Sequence, residues 1–341
     1  MSYNKKEVYL KKMKRHSIMN KFLLYIFFTG YSIFYLQAQE INTLYTTKDS
    51  ILTESLLKQF TNKRSLSSVE KQVVQIGNLF IGTPYVSKTL EKKGKEQLVV
   101  NLREMDCTTF VETVTALILS VQNNTYSFGD YCSNLQKIRY RNGIINEYPS
   151  RLHYFSDWIQ NNIQKGIIKE VTPKEGSLIQ KQSINFMSSH ADKYTPLTEN
   201  AFFLKEIKNT EKLLSNMTVR YIPKDSLNSH NISQIHNGDI IAITTSIKGL
   251  DISHVGFAYR VNGKLHLLHA SLNKKQVIIE SIPLNKQLQQ HKSQSGIRVL
   301  RIIENTKGAT QKIFFEFGLF CFYRNNNRLQ PENCNRLLFF L

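Results

Sequence analysis

One cysteine and two histidines stand in sequence contexts that suit nucleophilic catalysis. Cys107 directly precedes an apolar run with helical spacing, so we expect it at the first turn of a helix, where unpaired N–H groups and the helix dipole favour a thiolate. His254 and His269 lie in two strand-like runs on either side of Asn262-Gly263, a strong hairpin signal. Residues symmetric about such a turn are cross-strand neighbours. His269 is two positions from the residue opposite His254, so the two imidazoles can touch.

A thiolate, an imidazole base and a second polar group that orients the base are the parts of a nucleophilic hydrolase. Two other interpretations stay open at this point. The same three side chains could bind zinc, although no CxxC or HExxH spacing supports a metal site, and Cys107 could be a buried apolar residue. His266 is a rival for the orienting role, but strand alternation sends it to the opposite face from His269.

The surrounding periodicity predicts an α+β fold in which helices come first and a curled antiparallel sheet follows, with the Cys107 helix packed on it. Helices are predicted over residues 50–60, 67–81, from Cys107 onward, and over 126–139, 152–164 and 197–217. Strands are predicted within 94–101 and over 219–222, 239–244, 253–261, 264–270, 276–281 and 296–302.

The chain of 341 residues has 41% hydrophobic residues, enough for a sizeable core, and a formal net charge of +19. A basic surface suits a polyanionic partner such as an acidic glycan, a membrane face or a nucleic acid. Because the sequence has no zinc-finger spacing and no RNA-binding signature, we expect no nucleic-acid partner.

The N-terminus resembles a secretory signal peptide, because a lysine-rich stretch precedes an uncharged apolar run that ends at Ala38. We therefore predict a signal peptide over residues 1–38, a catalytic domain over 39–304 and an extension of unassigned role over 305–341. The protein would be secreted or periplasmic. An uncleaved membrane anchor is the alternative, with membrane contact only through this leader. Four cysteines form no regular disulfide framework, and Cys132 is the one most suited to a structural role.

Several motifs, taken in order, resemble those of the NlpC/P60 cysteine peptidase superfamily. They are Gly82-Thr83-Pro84-Tyr85, Asp106-Cys107, Ser253-His254-Val255-Gly256-Phe257 and Leu268-His269-Ala270. The segments 106–112 (DCTTFVE) and 151–158 (RLHYFSDW) are similar to its DUF1460 branch, the N-acetylmuramoyl-L-alanine amidase-like proteins. The likeness covers about residues 50 to 303. The chain departs from the wider superfamily in having Asp-Cys-Thr-Thr where Asp-Cys-Ser-Gly is common.

The resemblance implies a papain-like α+β fold that acts on bacterial peptidoglycan. We expect no cofactor, and the absence of metal-ligand spacing predicts no metal. The resemblance makes Cys107 the nucleophile, His254 the base and His269 the orienting residue. Tyr85 matches a tyrosine that approaches the nucleophile. The other residues expected to bind substrate are Asp106, Arg151, His153, Tyr154 and Asp157, and Arg139 and Arg141 could meet peptide carboxylates. A core position for the helix turn that carries His153, Tyr154 and Asp157 is an equal alternative.

The function that follows is an exported cysteine hydrolase, amidase-like, that cleaves an amide bond of peptidoglycan or muropeptides through a Cys-His-His triad. We expect a monomer. One alternative is a stem-peptide endopeptidase of the γ-D-glutamyl-diamino acid type. Acyl transfer with the same thiol and a non-catalytic wall-binding module are the others, although a binding module needs none of the three triad residues.

Overall fold

The structure is a computed structural model that describes residues 43–61 and 68–304. The predicted signal peptide over 1–38 and the predicted extension over 305–341 lie outside the described residues, as do Cys321 and Cys334. No helix in the described part of the chain is long and apolar enough to cross a membrane.

Helices dominate the first part of the described chain and strands the last part. The helices are α1 (Thr47–Lys58), α2 (Val69–Asn78), α3 (Cys107–Asn123), α4 (Phe128–Arg139), α5 (Phe155–Gln164), α6 (Phe186–Ser189), α7 (Thr195–Glu199), α8 (Ala201–Ser215), α9 (Ser229–Ser233) and α10 (Leu284–Gln290). The strands are β1 (Thr43–Leu44), β2 (Leu98–Val99), β3 (Ile168–Glu170), β4 (Leu178–Lys181), β5 (Thr218–Pro223), β6 (Ile240–Thr245), β7 (Ile252–Val261), β8 (Lys264–Ser271), β9 (Gln276–Ile279) and β10 (Gln294–Ile302).

Eight of these strands form one sheet in the order β4-β5-β10-β6-β7-β8-β9, and β3 also pairs with β10. Every pairing in this sheet is antiparallel. The predicted combination of helices with an antiparallel sheet is therefore confirmed.

The β7–β8 hairpin has the register that the sequence predicts. Asn262 and Gly263 both have positive φ, 48° and 77°, which two-residue hairpin turns of type I′ require. Phe257 pairs with Leu268, so every pair in the ladder is symmetric about the turn. The turn chemistry thus fixes which residues of the two strands face each other.

A β-bulge interrupts the pairing of β6 with β7 close to His254. Ile243 pairs with His254 but Thr244 pairs with Ile252, which leaves Ser253 as an extra residue in β7. Bulges bend a strand and redirect its side chains, and they are common beside active sites. The bulge brings the consecutive residues 252–255 to the wall of one cavity.

Helix α3 packs against one face of the sheet through aromatic contacts. The ring of Phe110 meets that of Phe257 edge to face, with centroids 5.7 Å apart. Helix α10 contributes Leu284 and Leu288 to an apolar cluster with residues of β6, β7, β8 and β10. The buried members of that cluster are Ile222, Ile235, Ile241, Ile243, Ala258, Leu265, Leu267, Leu284, Leu288, Ile297 and Val299. Apolar packing on the sheet therefore fixes the start of α3 relative to β7.

The structure differs from the predicted elements in the division of one predicted helix and in several short elements that were not predicted, among them α6, α9 and α10. The single helix predicted over 197–217 is divided at Asn200, whose side-chain oxygen accepts hydrogen bonds from the N–H groups of Phe202 and Phe203 and so caps α8. Strands β3 and β4 were not predicted. All four residues of β4 are exposed, so the strand has none of the alternation that marks a half-buried strand.

Candidate active site

Helix α3 begins at Cys107 because Asp106 caps it. The Asp106 carboxylate accepts a hydrogen bond from the N–H of Thr109 at 2.8 Å, and the Thr109 hydroxyl accepts one from the N–H of Asp106 at 2.9 Å. This capping box places the sulfur at the first helical position. Asp106, which we predicted to bind substrate, has one carboxylate oxygen engaged in the cap.

The Cys107 sulfur lies against the end of the helix and against β7. The backbone N–H of Val255 and the backbone and hydroxyl of Thr108 donate hydrogen bonds to it, which favours the thiolate. Burial opposes them, and with the neighbouring Asp106 carboxylate it raises the pKa of the Cys107 thiol to about 12. Burial therefore opposes the effect that the helix end was expected to have on Cys107, and the thiol form is favoured.

His254 and His269 are in direct contact across the hairpin. Nε2 of His254 lies 2.6 Å from Nδ1 of His269, and the two rings meet at 89°. Burial, with a smaller effect of His291, lowers the pKa of His254 to about 4. Burial, with a smaller effect of His254, lowers the pKa of His269 to about 3. At neutral pH the pair is therefore uncharged, and one imidazole donates its proton to the other.

Cys107 and His254 line one cavity of about 200 Å³. Its other walls come from the segment before α5, from α6 and from the loop before β7. These walls are Glu91, Thr108, Tyr148, Leu152, His153, Tyr154, Phe155, Phe186, Met187, Tyr194, Leu250, Asp251, Ile252, Ser253 and Val255. Aromatic and aliphatic side chains make up much of the lining, as is usual for ligand sites, with the thiol and the imidazole in the wall.

Tyr85 forms a bridge with Met105, which lies in the loop before α3. Burial raises the pKa of Tyr85, and the charges of Cys107 and Asp106 raise it further. The phenol consequently keeps its proton at physiological pH and can act as a hydrogen-bond donor.

Of the residues that we predicted to bind substrate, His153 and Tyr154 line the cavity and are held by internal hydrogen bonds, whereas Tyr85 and Asp106 are not among its lining residues. Nε2 of His153 lies 2.9 Å from the carbonyl oxygen of Tyr148. The hydroxyl of Tyr154 donates to Glu211 at 2.7 Å and accepts from the N–H of Met187 at 2.8 Å. These contacts make this part of the wall rigid.

The structure does not bring Arg151 and Asp157 to this cavity. The guanidinium of Arg151 is buried between Glu91, at 2.9 Å, and Glu96, at 3.4 Å. Asp157 is buried and forms an ion pair with Arg141 at 2.6 Å. A carboxylate that already accepts two guanidinium hydrogen bonds has little capacity left for a substrate.

Arg139 is also committed within the protein. Its guanidinium is buried, pairs with Glu112 at 2.7 Å and donates to the carbonyl oxygen of Val99. The expectation that Arg139 meets substrate carboxylates is wrong, because the side chain is only 3% exposed.

Asp251 is a cavity residue that the sequence did not reveal. Its carboxylate accepts the N–H of Ser156 at 2.6 Å, so it caps α5 from a distant part of the chain. Burial raises its pKa, although the hydrogen bonds from Ser156 and from the backbone oppose this. No local sequence signal marks such a long-range cap.

Within residues 43–61 and 68–304, no group of three or more His, Cys, Asp or Glu side chains is arranged to hold a metal ion. Both cysteines in this part of the chain, Cys107 and Cys132, are free thiols, and Cys132 is buried in α4. The thiol that lines the cavity is that of Cys107.

Comparison with known proteins gives a consistent match. Residues 75–297 match the model of the AmiA-like family, described as N-acetylmuramoyl-L-alanine amidase-like. The crystal structure of an N-acetylmuramoyl-L-alanine amidase from Bacteroides uniformis is 40% identical to the chain with a TM-score of 0.67, and the match covers 70% of this chain and 100% of that one. No curated protein matches the chain.

Two other solved structures are also similar. A Bacteroides fragilis protein, provisionally named a xylanase, is 44% identical with a TM-score of 0.63, and the match covers 66% of this chain and 98% of that one. A Legionella pneumophila protein of the DUF1460 family model is 24% identical with a TM-score of 0.57, over 74% of this chain and 95% of that one. At that identity the Legionella structure shows a shared fold alone.

Proposed function

The chain belongs to the N-acetylmuramoyl-L-alanine amidase-like family, and on that basis we propose that it is a cysteine hydrolase that cleaves an amide bond of peptidoglycan. The observation that carries the proposal is that a helix-start thiol and His254, which is in contact with His269, line one cavity. The family and its neighbours support a peptidoglycan hydrolase-like role. The residues that perform the reaction are argued below from their chemistry.

In the proposed reaction His254 takes the proton of the Cys107 thiol as the sulfur attacks the amide carbonyl carbon. The raised pKa of Cys107 and the lowered pKa of His254 keep this proton on sulfur in the free enzyme. Transfer therefore accompanies attack, when the new C–S bond consumes the thiolate. His254 then returns the proton to the leaving amine nitrogen as the C–N bond breaks.

The tetrahedral intermediate needs donors for its oxyanion. The N–H of Cys107 is at the first position of α3, outside the intrahelical hydrogen-bond ladder. It lies at the positive end of the helix dipole, where a donor stabilises an oxyanion. The neutral phenol of Tyr85, whose pKa is raised by the charge of Cys107 after the larger effect of burial, is the second donor that we propose. A water molecule, deprotonated by His254, then hydrolyses the thioester, which releases the acid and restores the thiol.

We place the scissile bond between the lactyl group of the muramic acid and L-alanine. The names of the family and of the Bacteroides uniformis structure support this choice over cleavage within the stem peptide. In that reaction the acyl part on Cys107 is the muramyl lactyl group, and the leaving amine is the α-amino group of L-alanine. The fold is proposed to be the papain-like fold of the NlpC/P60 superfamily, and the protein to be an exported monomer with a signal peptide cleaved after Ala38.

The name of the Bacteroides fragilis structure raises glycoside hydrolysis as a different reaction. That reaction needs two carboxyl groups on either side of the bond. The carboxylates in the cavity wall are Glu91 and Asp251, and each already has a partner, Arg151 and the start of α5 respectively. We therefore favour the thiol reaction.

Digestion of defined muropeptides by the full chain, with products weighed by mass spectrometry, tests the proposal. Amidase activity yields a free N-acetylmuramic-acid-containing sugar and an intact stem peptide. Fragments that retain L-alanine on the sugar would place the cut within the stem instead. Shortened glycans with intact peptides would indicate a glycosidase, and unchanged substrate with tight binding would indicate a binding module.

A further inference from the structure

Glu280 is the residue after β9, and it continues the diagonal line that His254 on β7 and His269 on β8 begin. Its backbone N–H donates to the carbonyl oxygen of Leu267 on β8. The β7–β8 register is symmetric about the turn, and the β8–β9 register pairs His269 with Ile278. When both registers are extended, Ser271 lies opposite His254 and Leu267 lies opposite Glu280. His269 is two positions from each of these β8 residues, so His254, His269 and Glu280 are on the same face of the sheet. Such diagonal positions are within reach of long side chains.

The side-chain contacts follow this line. Nδ1 of His269 lies 2.6 Å from His254, while Nε2 of His269 is buried, has no hydrogen-bond partner at standard distance and lies 3.6 Å from Oε2 of Glu280. The other carboxylate oxygen of Glu280 accepts the backbone N–H of Ser281 at 2.9 Å and its hydroxyl at 3.3 Å. One oxygen of Glu280 is therefore anchored and the other faces the imidazole.

We propose that Glu280 is a positioning residue that fixes the tautomers of both histidines. A carboxylate accepts and does not donate, so it draws the single proton of neutral His269 to Nε2. Nδ1 of His269 then carries a lone pair and accepts the Nε2–H of His254. His254 is left with a lone pair on Nδ1, which is the form that takes the proton of Cys107. This inference rests on the proposed thiol mechanism.

The other titratable groups near His254 and His269 do not determine which nitrogen of each imidazole carries the proton. Cys107 lies at the end of α3, and its thiol is a donor to the base. His291, which follows α10, acts on His254 through its charge only. Of the groups that the structure describes around the pair, Glu280 is the carboxylate that faces Nε2 of His269.

Two substitutions of Glu280 separate this role from a packing role. In Glu280→Gln, the N–H and hydroxyl of Ser281 hold the amide oxygen, so the amide NH₂ points at His269 and pushes its proton to Nδ1. His269 then donates a hydrogen bond from Nδ1–H to Nε2 of His254, and the single proton of His254 lies on Nδ1 instead of Nε2. In that tautomer His254 can no longer act as base. Glu280→Ala removes the acceptor that favours a proton on Nε2 of His269, but it adds no donor that would favour Nδ1.

We therefore expect Glu280→Gln to lose ~10²-fold or more in kcat/KM and Glu280→Ala only about 10-fold, both through kcat. A residue that merely packs would show the reverse order, because Gln is the better replacement in shape. The matched control is Glu175→Gln, which removes a carboxylate from His230 at 2.8 Å on the exposed surface. It should retain full activity.

Imidazole ¹⁵N shifts measured on the full chain report the tautomers without any substrate. The His254 and His269 signals are assigned by their loss in His254→Gln and His269→Gln. We expect Nε2–H on both rings in the wild type and Nδ1–H on both in Glu280→Gln. Unchanged tautomers in Glu280→Gln would overturn the proposal even if the enzyme is an amidase. The expected tautomers without any muropeptide cleavage would instead overturn the proposed function alone.

Discussion

Gly256 on β7 lies against His269 on β8, and a Cβ built on Gly256 would be 2.8 Å from the Cβ of His269 and 2.8 Å from the carbonyl oxygen of Leu268. Carbon atoms do not approach so closely, so one of the two strands would have to shift. Gly256→Ala should therefore displace His269 from His254 and lower kcat by about 10-fold or more, with a loss of ~1–3 kcal/mol in stability from overpacking. Urea unfolding and kinetics measure the two effects. In Gly129→Ala the new Cβ meets only a side-chain oxygen at 3.8 Å, so this control should keep full activity.

Cys107→Ala should abolish turnover and leave the fold intact. The alanine side chain fills most of the space of the thiol, and the helix cap between Asp106 and Thr109 does not involve the sulfur. Muropeptide release and circular dichroism are the measurements. Cys132→Ala, which removes the other free thiol of the described residues, is the control and should remain active. Wild-type release by Cys107→Ala would show that the nucleophile is a different group.

The three histidines of the hairpin should differ in their effects. His254→Ala should be as inactive as the cysteine variant, because general acid–base groups contribute ~10²–10⁴-fold. His269→Gln should retain part of the rate, since an amide can still hydrogen-bond to His254. His266→Gln should lower the rate less than His269→Gln, because His269 and not His266 contacts His254, while Nδ1 of His266 lies 2.8 Å from the backbone carbonyl oxygen of Glu280. A larger loss for His266→Gln than for His269→Gln in single-turnover assays would reverse the assignment of the orienting residue.

Activity should persist at acidic pH. His254 must be unprotonated to act as base, and burial lowers its pKa to about 4, with His291 lowering it further. Between pH 7 and pH 5 the base therefore stays neutral, and kcat/KM should fall only as the pH approaches about 4. An exposed imidazole would lose its function near pH 6.5. A pH–rate profile, with the fold checked by circular dichroism at each pH, distinguishes the two, and an acid limb near 6.5 would count against a buried base.

Turnover should survive treatment with EDTA. The proposed nucleophile is a thiol, which needs no metal-activated water. The measurement is the rate of muropeptide cleavage before and after chelation and dialysis. If activity were lost in EDTA and restored by zinc, Cys107 and the two histidines would have to be reinterpreted as metal ligands.

Local signals explain which parts of the fold were predictable. The periodicity of α3 and the Asn262-Gly263 turn each act over a few residues, so the helix, the hairpin and the contact of His254 with His269 followed from the sequence. The bulge at Ser253 depends on pairing with β6 and left no local mark. Strand β4 was missed because it is exposed on both faces.

The site was less predictable in its electrostatics than in its geometry. The position of Cys107 at a helix start was visible in the sequence, but its protonation state depends on burial, which no short motif reports. Arg151 and Asp157 lie in the segment that carries the family resemblance, yet each forms an ion pair within the protein. Glu280 was accessible in principle, because the register argument that joins His254 to His269 extends to one more strand.

The candidate site is assembled from parts that are far apart in the chain. Cys107 comes from the first half of the described residues, Tyr148 and Tyr194 from the middle, and His254 from the last strands. Contacts between such distant segments form late in folding, because the loop-closure entropy must be overcome first. A partly synthesised or unfolded chain therefore contains the thiol without its base or its cavity. Catalytic competence is a property that the protein acquires only on completing its fold, so return of activity during refolding should coincide with the final tertiary transition.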